Sequence, residues 1–576
     1  MRMRISPSFG SAMASFFKMC RLHTIGRGSV VKCLQKVDTF LHRNIGTNVV
    51  AVQEKNGFKS LYAVQAERQE QAERSVLISC HSMTNEKRFL EYLANYGDIQ
   101  KYFFYGIYAV VEFANKESIA SLFEGTAIPG IGMETMMPFK SRLLSMRNLD
   151  SVDLRNQPKK RLAQQSIPIN ELIQRLSKEE SIDQQITSLT EAHQLTEESC
   201  RLRFLVCSLL KDIVAPFFPE CTIKPFGSSV NGFGKLGCDL DMFLDLDGIS
   251  GKNATMPKSG LFLEYQMKAA KSERIVTQNI LSGIGTCMDL FGPGCVGLHK
   301  ILDARCPLVR FTHQPSGFQC DLTANNRVAM KSTELLYLYG ELDPRVRHLV
   351  FTVRCWAQAQ GITKSIPGAW ISNFSLTVMV LFFLQRRNPP IIPTLEHLRD
   401  LAGPEDKSVI EDNDCTFVSD FSKIQLESNT ETLEQLLCEF FEFYASFSFQ
   451  TLSINIRKGR EQNKPVGDPL HIQNPFETTL NVSKNVNTTQ LGRFVALCQE
   501  SSWLIQQNKT APSRGGTEGK ATITLWGVSN LLLPSQIEEV KRKQNSSKKQ
   551  KFEPTNQWIK DMLKSMKATN NQQNQS

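Results

Sequence analysis

The chain has 576 residues, a net charge of +10, 41% hydrophobic and 22% charged residues. It is too long for one hydrophobic core and ordinary in composition, which excludes a single domain, wholesale disorder and a collagen-like repeat. The longest apolar run, Ser375 to Leu384, is about half of the ~20 residues a membrane-spanning helix requires. Fifteen scattered cysteines without a C-x-x-C pair encode neither a zinc ribbon nor a disulfide framework.

The charge sits at the two ends. Residues 1–47 carry eight Lys/Arg against Asp38 alone, and residues 536–576 carry nine Lys/Arg against four acids, leaving the body at −2. From Met1 to Val37 there is no acid, while Arg2, Arg4, Lys18, Arg21, Arg27, Lys32 and Lys36 recur among Ser, Met and Phe. A basic, acid-free segment with no continuous apolar stretch predicts a mitochondrial presequence over 1–45, and hence the matrix as destination.

Residues 70–145 read as a small α/β module. Ser75 to Cys80 is a strand pattern, Glu86 to Tyr96 a helix, Ile99 to Tyr105 and Tyr108 to Phe113 two strands, and Lys116 to Phe123 a second helix. The order βαββα resembles an RNA-recognition motif, with Gly106 to Phe113 similar to its third-strand signature. Val110 stands where an RNA-binding version presents an aromatic ring. The consecutive Phe103, Phe104 and Tyr105 leave apolar surface to cover, and a twofold contact between copies is the simplest cover. A homodimer held by this module is therefore expected.

Residues 146–165 are polar and charged, a linker. Ile182 to Val214 is helical in pattern, and residues 346–508 are mostly so. The stretch 509–576, turn-rich and then Lys/Gln/Asn-rich, reads as a disordered basic tail.

The chemistry lies in Pro225 to Asp247, PFGSSVNGFGKLGCDLDMFLDLD. Gly227-Ser228 opens a glycine-punctuated stretch that enters a strand at Cys238. Side chains at i and i+2 share a strand face, so Asp239 and Asp241 project together while Leu240 points into the core. Two carboxylates ~7 Å apart on one face repel unless a cation sits between them, and Mg²⁺ or Mn²⁺ suits oxygen ligands. Asp321, on the strand after the hairpin-like His313 to Gly317, is the third carboxylate; Asp245, Asp247 and Asp303 are its rivals. Gly227 permits close approach to a phosphate, and the Ser228 hydroxyl donates to it.

Gly-Ser, ten residues, Asp-x-Asp and a distant strand Asp resemble the DNA-polymerase-β-like nucleotidyltransferases. Thr333 to Leu336, Asp343 to Val346, Arg354 to Ala357, Asn474 to Phe476 and Asn481-Val482 are similar to ordered blocks of the non-nuclear-type terminal RNA nucleotidyltransferases. The resemblance covers about residues 70–508. It implies an α+β fold, with a palm domain and leading helices over 166–345 and a helical PAP-associated domain over 346–508.

It further implies template-independent transfer of AMP from ATP to an RNA 3′-hydroxyl by a two-metal mechanism. Asp239, Asp241 and Asp321 are then metal ligands and Gly227 and Ser228 the phosphate clasp. Asn326 and Thr333 lie near the ribose, and Arg354 at the triphosphate. Phe374, beside Asn373, stacks on the base, although an aromatic in an apolar helix is also ordinary core. The chain departs from the family at Gln358, where a second triphosphate lysine is usual, and at Cys238 and Ser332. A uridylyl or mixed-specificity transferase shares every catalytic residue. A non-catalytic RNA-binding scaffold and a small-molecule nucleotidyltransferase are the readings from other classes.

Overall fold

In the computed structural model the described residues are 59–80, 85–128, 140–147, 167–218, 221–246, 261, 272–324, 326–364, 366, 368–465, 467–507 and 525–534. The expected presequence, and the expected linker apart from Met146 and Arg147, lie outside them.

The N-terminal module begins with α1 (Leu61–Glu73), whose first turn is capped by Ser60 Oγ accepting the Ala63 N–H. Then come β1 (Ser75–Ser79), α2 (Glu86–Ala94), β2 (Ile99–Tyr105), β3 (Tyr108–Phe113) and α3 (Glu117–Glu124). Gly106, at φ +60°, makes the tight turn between β2 and β3. A fourth strand, β4 (Leu143–Ser145), pairs in parallel with β1, giving the sheet order β2-β3-β1-β4. Strand alternation then separates two faces. Ala109, Val111 and Phe113 pack under the helices with Val76, Ile78, Phe89 and Leu93.

The next elements are α4 (Ile169–Leu176), α5 (Ile182–His193) and α6 (Glu197–Val214). The palm sheet is built from β5 (Thr222–Pro225), β6 (Leu240–Asp245), β7 (Cys295–Ile301), β8 (Leu308–His313) and β9 (Phe318–Ala324), with α7 (Glu273–Phe291) between β6 and β7. Its order is β5-β6-β9-β8-β7, parallel only at β6–β9. One face of this sheet, through Leu240, Met242, Leu244, Phe311 and Leu322, packs on Leu202, Val206 and Leu210 of α6.

The second face of the module's sheet joins this palm core. Leu77, Tyr105 and Val110 are buried in it, with Phe103 and Tyr108 packed against it. The surface an RNA-recognition motif offers to bases is therefore covered within one chain. This corrects the argument that a second copy is needed to cover it. Burial of those three side chains is worth ~1.5–3 kcal/mol each, whereas the attraction within a buried ion pair is largely offset by its desolvation, so apolar contact dominates the seam. Polar groups fix its register. Glu112, 4% exposed, binds Arg74, the residue that ends α1, and Arg201 of α6, and Arg142 donates to Asp212 at 2.9 Å and to the Ser208 carbonyl at 2.8 Å.

The helical domain follows as α8 (Arg327–Leu342), α9 (Pro344–Ala359), α10 (Asn373–Gln385), α11 (Leu395–Asp400), α12 (Leu433–Ser446) and α13 (Thr488–Gln507). From Ser375 to Gln385, α10 is buried on every side, as an all-round apolar helix must be. Leu172, Ile173, Ile186 and Leu189 of α4 and α5, the expected leading helices of the palm, are buried in one core with the helical domain. The expected tail is not featureless: α14 (Gly527–Leu531) inserts Trp526, Val528, Leu531 and Leu532 into that core. Among the described residues no helix is long and apolar enough to cross a membrane.

Candidate active site

At the end of β5, the Phe226 N–H donates to the Asp241 carbonyl at 3.0 Å, and residues Gly227–Ser229 form a single 3₁₀ turn. Gly227 has φ +61°, and a Cβ there would lie 3.2 Å from Asp241 Oδ2. Any side chain at 227 would be strained and would crowd that carboxylate. The Gly227 N–H donates to Thr333 Oγ1 at 3.0 Å, and the Thr333 hydroxyl donates in turn to the Ala329 carbonyl at 2.8 Å. Thr333, 2% exposed, thus braces the turn from α8.

The strand β6 starts at Leu240, so Asp239 stands one residue before it. Leu240 and Met242 are fully buried toward α6, and Asp241 faces the other way. Parallel pairing of β6 with β9 sets Asp241 directly against Asp321, ~4.8 Å apart along the hydrogen-bonding direction. The three carboxylates expected from the sequence are therefore neighbours. Asp245 sits at the far end of β6 opposite Thr222, Asp303 lies outside the strands, and Asp247 is not among the described residues.

Their charges interact. Burial first, then Asp321 and Asp239, pushes the Asp241 carboxyl up to about 6. Burial and Asp321 raise Asp239 as well. Arg310, opposite Asp321 on β8, donates to both its oxygens, from Nε at 2.8 Å and from Nη2 at 2.6 Å. Among the described residues no three His, Cys, Asp or Glu side chains close on a common point, and this guanidinium fork holds Asp321 as a cation would. The oxygen-only donor set and the mutual repulsion fit a hard divalent ion.

Asn326 precedes α8, five residues after Asp321 and half-buried. Arg354, on α9, donates from its guanidinium to the Phe233 carbonyl at 2.8 Å, so it holds the glycine-punctuated loop. Near it, Lys235 Nζ donates to Gln358 Oε1 at 2.8 Å, bringing a loop cation to the position where the family lysine is missing. Asn373 is exposed and Phe374 half-buried in the first turn of α10, whose remaining residues are buried. Sequence reasoning missed Arg203, Arg310 and Lys235. Only Lys235 lies inside the motif; the two arginines are brought in from α6 and β8.

The family model for the central palm domain of poly(A) RNA polymerase, mitochondrial-like, matches residues 182–341. An RL domain model matches 60–127, and a Cid1 family poly A polymerase model matches 432–480. The mitochondrial poly(A) RNA polymerase of Mus musculus is 54% identical over 523 residues, covering 90% of this chain and 88% of that one. The Drosophila melanogaster enzyme of the same name is 39% identical over 347 residues, 58% of this chain and 56% of that one. A crystal structure of mtPAP in the apo form superimposes with TM-score 0.76 at 52% identity, over 83% of this chain and all of that one. Its complex with ATPγS superimposes at 0.75 with 51% identity and the same coverage. The chain belongs to the mitochondrial poly(A) RNA polymerase family.

Proposed function

We propose that Asp239, Asp241 and Asp321 are the metal-holding carboxylates of this mitochondrial poly(A) polymerase, which transfers AMP from ATP to RNA 3′ ends with release of pyrophosphate. The observation that carries the assignment is the register of Asp241 with Asp321 beside Gly227, a residue whose missing side chain leaves the Asp241 carboxylate open. A Mg²⁺ or Mn²⁺ ion held by these carboxylates would supply positive charge toward the 3′-hydroxyl and the phosphates. The chain's own part is positioning and charge. Gly227 and the Ser228 hydroxyl receive a phosphate, while Thr333 keeps the turn in place. Asn326 meets the ribose, Phe374 stacks on the base beside Asn373, and Arg354 acts at the triphosphate by holding the loop that carries Lys235.

The full chain, incubated with a 5′-labelled oligoribonucleotide, Mg²⁺ or Mn²⁺ and each NTP singly, should give long products with ATP. Asp239→Asn, Asp241→Asn and Asp321→Asn should each abolish them. Near-normal extension by the Asp321 variant would move the third ligand elsewhere. A mixed-specificity reading has one observation in its favour: the mtPAP structures similar to this chain include complexes with GTP, CTP and UTP. Comparable extension with those nucleotides would establish it.

We also infer a homodimer held by the module. Tyr102, Phe104 and Ile107 are 38%, 36% and 46% exposed along or beside the edge strand β2, apolar surface that a second copy would cover. Sedimentation equilibrium should give twice the chain mass for the full protein and a shift toward monomer for Tyr102→Glu/Phe104→Glu. A native protein that sediments as a monomer would refute it.

A further inference from the structure

Arg203 lies on α6, and none of its side chain is exposed. Its guanidinium donates to Ser229 Oγ at 2.9 Å, to the Asp239 carbonyl at 2.9 Å and to the Cys238 carbonyl at 2.7 Å. The same group lies over the Phe318 ring, 4.5 Å from its centroid, three residues before Asp321 on β9. One buried side chain therefore touches all three segments that carry the candidate site: the Gly-Ser turn, the Asp-Leu-Asp entry and the strand of the third carboxylate.

Two features argue against a purely packing role. No carboxylate forms an ion pair with Arg203 among the described residues, and its Nε has no hydrogen-bond partner there. Burying a guanidinium with its Nε–H unbonded costs folding energy, which an apolar side chain between α6 and the sheet would not. The loop it spans also needs fixing. Between Ser229 and Cys238 the chain has three glycines, two of them at positive φ, Gly232 at +82° and Gly237 at +80°. Arg203 pins this loop at both ends.

We propose that Arg203 is the positioning residue that locks the phosphate-facing Gly-Ser turn to the Asp239–Asp241 segment, so that their spacing persists when the nucleotide binds. It contacts neither substrate nor metal; it acts through Ser229 and two backbone carbonyls. The proposal rests on the transferase reading above. A displacement of ~1 Å at such a site costs on the order of a hundredfold in rate.

The test uses the full chain with Arg203→Lys, Arg203→Met, Ser229→Ala and the Arg203→Lys/Ser229→Ala pair. Steady-state extension is measured at a temperature where circular dichroism shows each variant folded. Arg203→Met should lower kcat by about a hundredfold. Arg203→Lys, which reaches only part of the bridge, should retain several-fold more activity than Arg203→Met. The double variant should be worse than Arg203→Lys by less than Ser229→Ala is worse than the native chain, because both substitutions weaken the same link. ATP KM should change much less than kcat, and the loss in kcat should remain after division by the folded fraction that circular dichroism gives, since loss of folded protein alone lowers apparent kcat at constant KM. If Arg203→Met does not fold, Arg203→Lys and the cycle with Ser229 decide. Folded Arg203 variants with native kcat, or strictly additive effects in the cycle, would overturn the proposal. A native chain that extends no RNA would instead sink the transferase assignment.

Discussion

Arg310 and Asp321 face each other across β8 and β9, and the guanidinium donates to both carboxylate oxygens, at 2.8 and 2.6 Å. A divalent ion at Asp321 must take at least one of those oxygens, so arginine and metal compete for the same acceptor. Replacing Arg310 by Gln should tighten Mn²⁺ binding to the nucleotide-free protein several-fold, measured by calorimetry. Unchanged or weaker binding would show that the guanidinium does not hold the metal's place.

A second prediction concerns pH. Burial and two neighbouring carboxylates raise Asp241 to about 6, above the value of about 3.9 of an unfolded aspartate. The folded chain then keeps a proton that the unfolded chain releases, so this group weakens the metal-free fold as pH rises from about 4 through about 6. Asp241→Asn removes the cost. In EDTA its melting temperature should exceed the native one by a few degrees at pH 7.5, with the gap closing as pH falls toward about 4. A gap that widens in acid would reverse the assigned sign.

Gly227→Ala probes the turn directly. The left-handed backbone penalises a side chain by roughly 1–2 kcal/mol, and the new methyl would sit 3.2 Å from Asp241 Oδ2. Melting should fall by only a few degrees, while kcat/KM for ATP should fall at least a hundredfold. Activity lost merely in proportion to folded protein would assign Gly227 to the turn alone.

Phe374 divides two readings cleanly. It is half-buried at the head of α10 and packs on the edge of the helical core, and stacking on a base is worth ~1–3 kcal/mol. Phe374→Ala should raise ATP KM about tenfold with kcat held within a few-fold. A lower melting temperature with unchanged KM would leave it as core.

What the sequence revealed follows from the range of the signal. Asp239, Asp241 and their opposing Leu240 could be read from strand alternation, and Asp321 from the hairpin before it, because both patterns are local. Arg203 and Arg310 could not. A charged residue in a helix such as α6, or on a strand such as β8, ordinarily reads as solvent-facing, and only packing across 36 and 11 residues brings them to Asp239 and Asp321. The faces of Phe103 and Tyr105 followed from alternation, but their cover did not, since it depends on docking against α6 and on Tyr105 donating to the Ser316 carbonyl. Trp526 was hidden for a different reason: a short apolar run flanked by low-complexity sequence looked like more tail.

That last element gives the final prediction. Trp526, Val528, Leu531 and Leu532 are each at most 3% exposed, and full burial of such side chains contributes ~1.5–3 kcal/mol apiece. The segment is also tied by hydrogen bonds: Gln185 Oε1 accepts the Val528 N–H at 2.7 Å, and Gln360 Nε2 donates to the Leu531 and Leu533 carbonyls at 2.8 and 2.7 Å. Both glutamines are buried, and each would lose these bonds without it. Truncation after residue 508 should therefore lower the melting temperature by ten degrees or so, since several kcal/mol at ~2–4 °C each is at stake in a domain this large. Truncation after residue 535 should leave melting within a degree or two of the full chain. Equal melting for the two truncations would mean that α14 adds nothing to the helical core.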